Sequence, residues 1–115
     1  MFKFVCLYRQ VDDLTAVDDF FSSTHLQLAE KLPGLIRTEL NLINGKPGGD
    51  SRFYQTYSLY FGGRKVFEHA MASEYGLQLM AALKPWAEAK LISWFYAEVH
   101  ENNILAQKNR GTKPI

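Results

Sequence analysis

The order in which strand-like and helix-like patterns follow one another constrains the fold of this chain more than any single residue does. Each half of the chain begins with an apolar run, continues into a segment with helical periodicity and ends in a second apolar run. Strands are predicted at Phe2–Arg9, 35–43, 52–61 and 91–99, and helices at 14–32, 64–72 and 74–84. The order β-α-β-β-α-β predicts the ferredoxin-like α+β fold, in which a four-stranded antiparallel sheet carries its helices on one face.

The first helix is predicted from one apolar stripe and from the residues that bound it. Asp12 and Asp13 supply a cap and negative charge at its start, and Pro33 ends it. The stripe recurs at intervals of three or four residues and consists of Leu14, Val17, Phe21, His25, Leu28 and Leu32. The later helical pattern is expected to break near Ser73, and Pro85 is expected to bend or restart the chain.

The length and composition predict one small domain. With 115 residues, 47% of them hydrophobic, we expect a single domain at residues 1–100 and a polar tail at residues 101–115. A net charge of +1 gives little support to nucleic-acid binding, and the longest apolar runs are too short to span a bilayer. The start carries no signal-peptide cleavage pattern, and the single cysteine, Cys6, favours a reducing compartment, so the cytoplasm is expected.

Aromatic residues make up 14% of the chain and concentrate in the predicted strands. We expect them on both faces of the sheet, whereas the helices cover only one face. An uncovered aromatic face is larger than the apolar patches that monomers usually expose. A second copy packed face to face would cover it, which predicts a homodimer. The alternative is that shorter strands place these aromatic residues in a single core.

His25 is the sharpest candidate for chemistry, because it lies in the centre of an apolar helical stripe. A buried neutral imidazole can act as an acid or a base near neutral pH, although a satisfied core histidine is the simpler interpretation. Tyr8 ends the first strand and can hydrogen-bond a developing oxyanion, and Arg9 can hold an anionic group. The predicted pocket for a planar or apolar ligand is lined by Phe21, Tyr57, Trp86 and Trp94, which suit a sheet core equally well.

Other reactive groups are not arranged as sites in the sequence. The three histidines, His25, His69 and His100, have no metal-like spacing, so we expect no metal ion. Cys6 lies within a strand without an activating neighbour, which makes a thiol nucleophile improbable. Asp18 is about two helical turns from His25 and is interpreted as solvated.

The stretch FFSSTHLQLAEKLPGL at residues 20–35 resembles the signature of the EthD family, which is named for a protein of ethyl tert-butyl ether degradation. The matching residues are Phe20, Phe21, His25, Leu28, Ala29, Leu32, Pro33, Gly34 and Leu35. The start VCLYR also resembles the family's first strand, and Ser73 with Gly76 resembles a later Ser-x-x-Gly segment. The chain departs from the family at Gln27, where proline is common, and at Ala81 and Ala82, near which the family often has an acidic residue.

This resemblance implies a dimeric α+β barrel, in which two four-stranded sheets pack together, and it implies that His25 is a pocket residue. It associates the chain with oxidative, monooxygenase-type ether degradation. Related dimeric barrels include cofactor-independent monooxygenases, isomerases, dehydratases and haem-handling proteins, and a shared fold does not choose among them.

Three functions remain open on this basis. In the first, the chain is an enzyme without a bound cofactor, in which His25 shuttles a proton and Tyr8 hydrogen-bonds a substrate oxygen during an oxidation, lyase or isomerase step. This version requires a cavity beside His25. In the second, the chain is a non-catalytic accessory protein that carries an apolar molecule for a partner oxygenase. In the third, His69 or His25 binds haem.

Overall fold

A computed structural model describes residues 1–100, and the predicted polar tail at residues 101–115 lies outside the described residues. Nine elements follow in this order: β1 (Phe2–Arg9), α1 (Thr15–Phe20), a π-helical turn (Phe21–His25), α2 (Leu26–Ala29), β2 (Leu35–Leu42), β3 (Phe53–Phe61), α3 (Arg64–Ala72), α4 (Glu74–Glu88) and β4 (Ile92–Glu98). The four strands form one antiparallel sheet in the order β2-β3-β1-β4. The predicted ferredoxin-like α+β fold is confirmed.

The first helical segment departs from the regular α-helix that the stripe predicted. It begins where expected, because the Asp13 carboxylate accepts a hydrogen bond from the Thr15 N–H at 2.9 Å. It then widens into the π-helical turn, where the Leu26 N–H donates to the carbonyl of Phe21, five residues earlier. An extra residue in the turn rotates the following residues about the helix axis. Ala29 is therefore fully buried, whereas Leu28 is only half-buried.

The second helical region is interrupted at Ser73, as predicted. The Ser73 side chain accepts a hydrogen bond from the Gly76 N–H at 3.2 Å and so caps the start of α4. The predicted end of this helix at Lys84 was wrong, because α4 continues through Pro85 to Glu88. Pro85 lies close to the C-terminal end of α4, where it removes one backbone N–H donor without ending the helix.

The aromatic residues are distributed less evenly than expected. Strand register places Phe2, Phe4 and Tyr8 on the same sheet face as Tyr57 and Phe61. These five side chains join the core beneath the helices, together with apolar side chains of every helical segment, including Phe21 of the π-helical turn. Most strand aromatics therefore fill the chain's own core, which corrects the expectation of an aromatic surplus on both faces.

The other sheet face carries no helix and is mixed in character; we call it the open face. Its central positions, Val5 and Ser58, pair directly and are buried. Tyr60 and Phe95 are aromatic residues of this face, and Phe95 is 45% exposed. The Arg37 guanidinium lies 3.8 Å from the centre of the Tyr60 ring. No helix within residues 1–100 is long and apolar enough to cross a membrane.

Candidate functional site

His25 ends the π-helical turn and lies between the helices and the sheet, with no part of it exposed. Its Nδ1 is hydrogen-bonded to the hydroxyl of Tyr8, which ends the core-facing row of β1 and is also fully buried. The two residues are 17 positions apart in the chain. The packing of the helix on the sheet thus joins the two residues that the sequence proposed for catalysis.

Aromatic rings enclose the imidazole on several sides. The centres of the Tyr57, Phe21 and Tyr8 rings lie 5.1, 5.7 and 5.7 Å from the centre of the His25 ring. Phe20 follows at 6.2 Å. We call this set the His25 cluster: Tyr8, Phe20, Phe21, His25 and Tyr57. The edge-on contacts of Phe21 and Tyr57 and the stacked contact of Tyr8 hold the imidazole in one orientation.

Of the two tryptophans that were predicted to line the pocket, only Trp86 lies beside this cluster. Trp86 on α4 packs against Phe20 with ring centres 4.7 Å apart, so it forms an outer wall of the cluster. Trp94 instead packs edge-on against Phe4 at 6.3 Å. It belongs to a second aromatic group around Phe67, at the other end of the helix-facing side.

Burial sets the protonation states in the His25 cluster. Desolvation lowers the pKa of His25 to about 4 from its ordinary value of 6.5, and it raises the pKa values of Tyr8 and Tyr57. All three side chains are therefore neutral near pH 7. Between a neutral phenol and a neutral imidazole, the favoured hydrogen bond has the Tyr8 hydroxyl donating to Nδ1, because phenol is the stronger acid and imidazole the stronger base. That arrangement leaves the proton of His25 on Nε2.

Three buried polar atoms have no hydrogen-bond partner within residues 1–100: His25 Nε2, the Tyr57 hydroxyl and Gln55 Nε2. Thr38 lies near the Tyr57 hydroxyl and partly offsets the rise in the pKa of Tyr57. The two side chains nevertheless do not form a hydrogen bond of normal geometry. Buried polar groups are usually satisfied, and an unpartnered one costs free energy. Such atoms grouped around one aromatic cluster are typical of a site that recognises a ligand.

Gln55 is the residue of this neighbourhood that the sequence analysis missed. It pairs directly with Tyr8 across β1 and β3 and is only 3% exposed. A glutamine in an aromatic strand was the available signal, but its importance depends on which sheet face it occupies.

The sequence analysis expected an open cavity beside His25. Four cavities among the described residues have volumes of about 260 to 400 Å³, and none of these four lies beside His25. The largest, of about 400 Å³, lies in the second aromatic group and is lined by Phe2, Phe67, Met71 and Tyr96 among others. His25 and Tyr8 line none of the four. In the single chain, aromatic side chains of the His25 cluster pack around the imidazole, which is fully buried.

Other candidates from the sequence have structural explanations. Asp18 is not merely solvated, because its carboxylate accepts a hydrogen bond from the Tyr54 hydroxyl at 3.0 Å. Cys6 is buried, and burial raises the pKa of its thiol, which keeps it protonated. His69 is exposed on α3. Within residues 1–100, no group of three or more His, Cys, Asp or Glu side chains is arranged to hold a metal ion.

Comparison with solved structures identifies the family. The chain superposes with a TM-score of 0.79 on the crystal structure of an ethyl tert-butyl ether degradation (EthD) family protein from Bacillus halodurans C-125, at 30% sequence identity over 87% of this chain and 99% of that one. This chain belongs to the EthD family. The resemblance drawn from the block at residues 20–35 is thereby confirmed. No family model and no curated protein sequence matches the chain.

More distant structures share the fold of this EthD family member. SnoaB, a cofactor-independent oxygenase from Streptomyces nogalater, superposes with a TM-score of 0.60 at 14% identity, over 89% of this chain and 95% of that one. A dimeric ferredoxin-like protein of unknown function from Jannaschia sp. CCS1 gives a TM-score of 0.60 at 16% identity, over 86% of this chain and all of that one. At these identities the likeness establishes the fold alone.

Proposed function

We propose that this EthD family member binds a small apolar or aromatic molecule between the sheet and the helices and oxidises it with dioxygen, without a bound cofactor. The observation that carries the proposal is His25, a fully buried and neutral imidazole with a partner on Nδ1 and none on Nε2 within residues 1–100. Aromatic rings around it suit an apolar ligand, and the unpartnered nitrogen suits one oriented polar contact. The likeness in fold to a cofactor-independent oxygenase supports the reaction class.

The ligand enters by displacing the Phe21 ring. Phe20 and Phe21 are half-buried, and they separate the His25 imidazole from solvent. A change of rotamer at Phe21 would open a space beside the imidazole without moving the sheet. This step reconciles a filled cluster in the free chain with a ligand site at the same place.

The roles of the two candidate catalytic residues follow from their hydrogen bond. Because the Tyr8 hydroxyl is engaged with Nδ1, Tyr8 positions the imidazole and sets its tautomer. The Nε2–H of His25 then donates to an oxygen of the bound molecule. If that oxygen becomes anionic during the reaction, the Nε2–H stabilises the negative charge through a charge-assisted hydrogen bond.

The chain is proposed to act as a homodimer through the open face of the sheet. Phe95, which pairs with the buried Val5 at the centre of this face and is 45% exposed, is an apolar side chain that a second copy would cover. Structures of the same fold are described as dimeric. A cytoplasmic location is part of the proposal, supported by the free and buried Cys6, which suits a reducing compartment.

The second candidate function, a non-catalytic carrier for a partner oxygenase, is favoured by one specific observation. An imidazole with a pKa of about 4 is a weak base in the free protein, which suits a hydrogen bond to a carried molecule better than proton abstraction. The two functions differ in whether the isolated protein turns over its ligand.

The deciding experiment uses 1-naphthol as an oxygenated aromatic probe. Binding is followed by fluorescence in the Trp94→Phe variant, where Trp86 beside Phe20 remains as the reporter, and turnover is followed by dioxygen uptake. Binding with uptake that is lost in His25→Ala, while the dimer survives, supports the enzyme. Binding without uptake, largely unaffected by His25→Ala, supports the carrier. If 1-naphthol and naphthalene both leave the fluorescence of Trp86 unchanged, the proposed site is wrong.

A further inference from the structure

One of the four cavities, with no residue of the His25 cluster in its lining, lies where the ends of three strands meet. It has a volume of about 270 Å³, and its lining includes Arg9, Arg52 and Lys90. The Arg9 N–H donates to the carbonyl of Leu91 at 2.9 Å, and the Gln10 N–H donates to the carbonyl of Arg52 at 2.7 Å. These bonds bring the segments next to β3, β1 and β4 together, so that residues far apart in the chain meet at one end of the sheet.

The three basic residues have no acidic partner at this place. No Asp or Glu lines the cavity, and none of the ion pairs within residues 1–100 involves Arg9, Arg52 or Lys90. Three positive charges around one concave surface repel each other in the free protein. An anion bound among them would remove that repulsion.

Lys90 adopts a backbone conformation that its side chain disfavours. Its φ is 61°, and it is the one non-glycine residue with positive φ within residues 1–100. It ends α4 in a Schellman motif, in which the Lys90 N–H donates to Ala87 and the Leu91 N–H donates to Trp86, both at 2.9 Å. Glycine is the usual residue at this position, so the chain accepts a conformational cost by having a lysine in the lining of this cavity.

The remaining lining is apolar. Leu7, Phe53 and Ile92 contribute hydrocarbon surface beside the three cations. A free inorganic anion would use the charges and leave this surface unused. A small organic acid would use both, because its carboxylate can pair with a guanidinium in a bidentate manner while its hydrocarbon body covers the apolar wall.

We propose that this cavity is a binding site for a small organic carboxylate, with Arg9, Arg52 and Lys90 holding the carboxylate and Leu7, Phe53 and Ile92 contacting its apolar body. The site shares no residue with the His25 cluster and does not depend on the function proposed for it. Its volume suits a ligand the size of a single substituted ring.

The test compares benzoate with benzamide, its neutral isostere, and with inorganic phosphate, by calorimetric titration at constant ionic strength. We expect benzoate to bind about tenfold more tightly than benzamide, the scale of a charge-assisted hydrogen bond. Arg9→Gln and Arg52→Gln should each weaken benzoate binding by a similar factor. Lys65→Gln, which removes a positive charge at an exposed position of α3, should leave benzoate affinity unchanged. Equal affinity for benzoate and benzamide, or for benzoate and phosphate, would overturn the proposal.

The Lys90→Gly variant distinguishes two explanations for Lys90: that its side chain binds the ligand, or that the residue only ends α4. Glycine relieves the left-handed backbone, so the variant should fold and unfold at a higher temperature than the parent protein. If Lys90 belongs to the site, benzoate binding weakens by about tenfold in this more stable variant. Unchanged benzoate affinity in Lys90→Gly would show that the lysine serves only the end of α4 and would remove it from the site. Unchanged affinity in Lys90→Gly, Arg9→Gln and Arg52→Gln together would refute the site.

Discussion

Acidification should lower the free energy of unfolding of this protein, because His25 is buried and neutral in the folded chain. Burial lowers the pKa of His25 to about 4 in the folded chain, against an ordinary value of 6.5. That difference corresponds to about 3 kcal/mol of folding free energy when the titration is complete. At pH 5, part-way through the titration, the contribution already lost is about 2 kcal/mol.

The sign follows from which state binds the proton first. As pH falls below 6.5, the histidine protonates in the unfolded chain while His25 in the folded chain stays neutral. The unfolded state therefore gains protons, and stability falls with pH. The contribution is fully present above pH 6.5, is lost as pH falls from 6.5 to about 4, and does not change further below that value.

The assay is urea unfolding at pH 8, 7, 6 and 5 for the parent protein, His25→Gln and His69→Gln. His25→Gln is expected to be less stable at every pH, because it loses the hydrogen bond with Tyr8, but its stability should fall less steeply. The gap between the two proteins should narrow by about 2 kcal/mol between pH 8 and pH 5. His69→Gln, at an exposed position, should follow the parent curve. A His25 imidazole that titrates near pH 6.5 by nuclear magnetic resonance, or parallel curves for the parent protein and His25→Gln, would refute this reasoning.

Three further predictions concern packing and assembly. Gly76→Ala should destabilise the chain by at least about 2 kcal/mol in urea unfolding, because an added Cβ would lie 2.4 Å from a backbone carbonyl of α3; Gly62→Ala meets only the end of the Ile36 side chain at 4.0 Å and should be nearly neutral. Tyr57→Phe should raise stability by about 1 kcal/mol, since it removes a buried hydroxyl without a partner within residues 1–100, and any loss would mean that this hydroxyl is satisfied. Phe95→Asp on the open face should convert the proposed homodimer to a 13.2 kDa monomer by light scattering, whereas Leu77→Asp at an exposed position of α4 should not; a parent protein that is already monomeric at micromolar concentration would contradict the proposed dimer.

Local signals in the sequence were sufficient for the elements and their order. Helical spacing, strand-like apolar runs and the break at Ser73 depend on neighbours a few residues away, and they located each strand and each helical region, although not the π-helical turn or the continuation of α4 through Pro85. His25 was found for the same reason, because its position in an apolar stripe is a local property. The family resemblance rested on one continuous block around that histidine, and the structural comparison confirmed it.

Tertiary structure decided which groups meet. A strand that is aromatic at successive positions does not reveal which residues face the helices, and only the register between β1 and β3 assigned Tyr8, Gln55 and Tyr57 to the core side. The π-helical turn, the hydrogen bond between Tyr8 and His25 and the left-handed Lys90 beside Arg9 and Arg52 depend on contacts between distant segments. Short-range periodicity in the sequence predicts the secondary structure of this protein, whereas its candidate sites form only when distant segments pack together. The reason is physical: an imidazole is desolvated, and three cations repel one another, only after folding has brought those segments into contact.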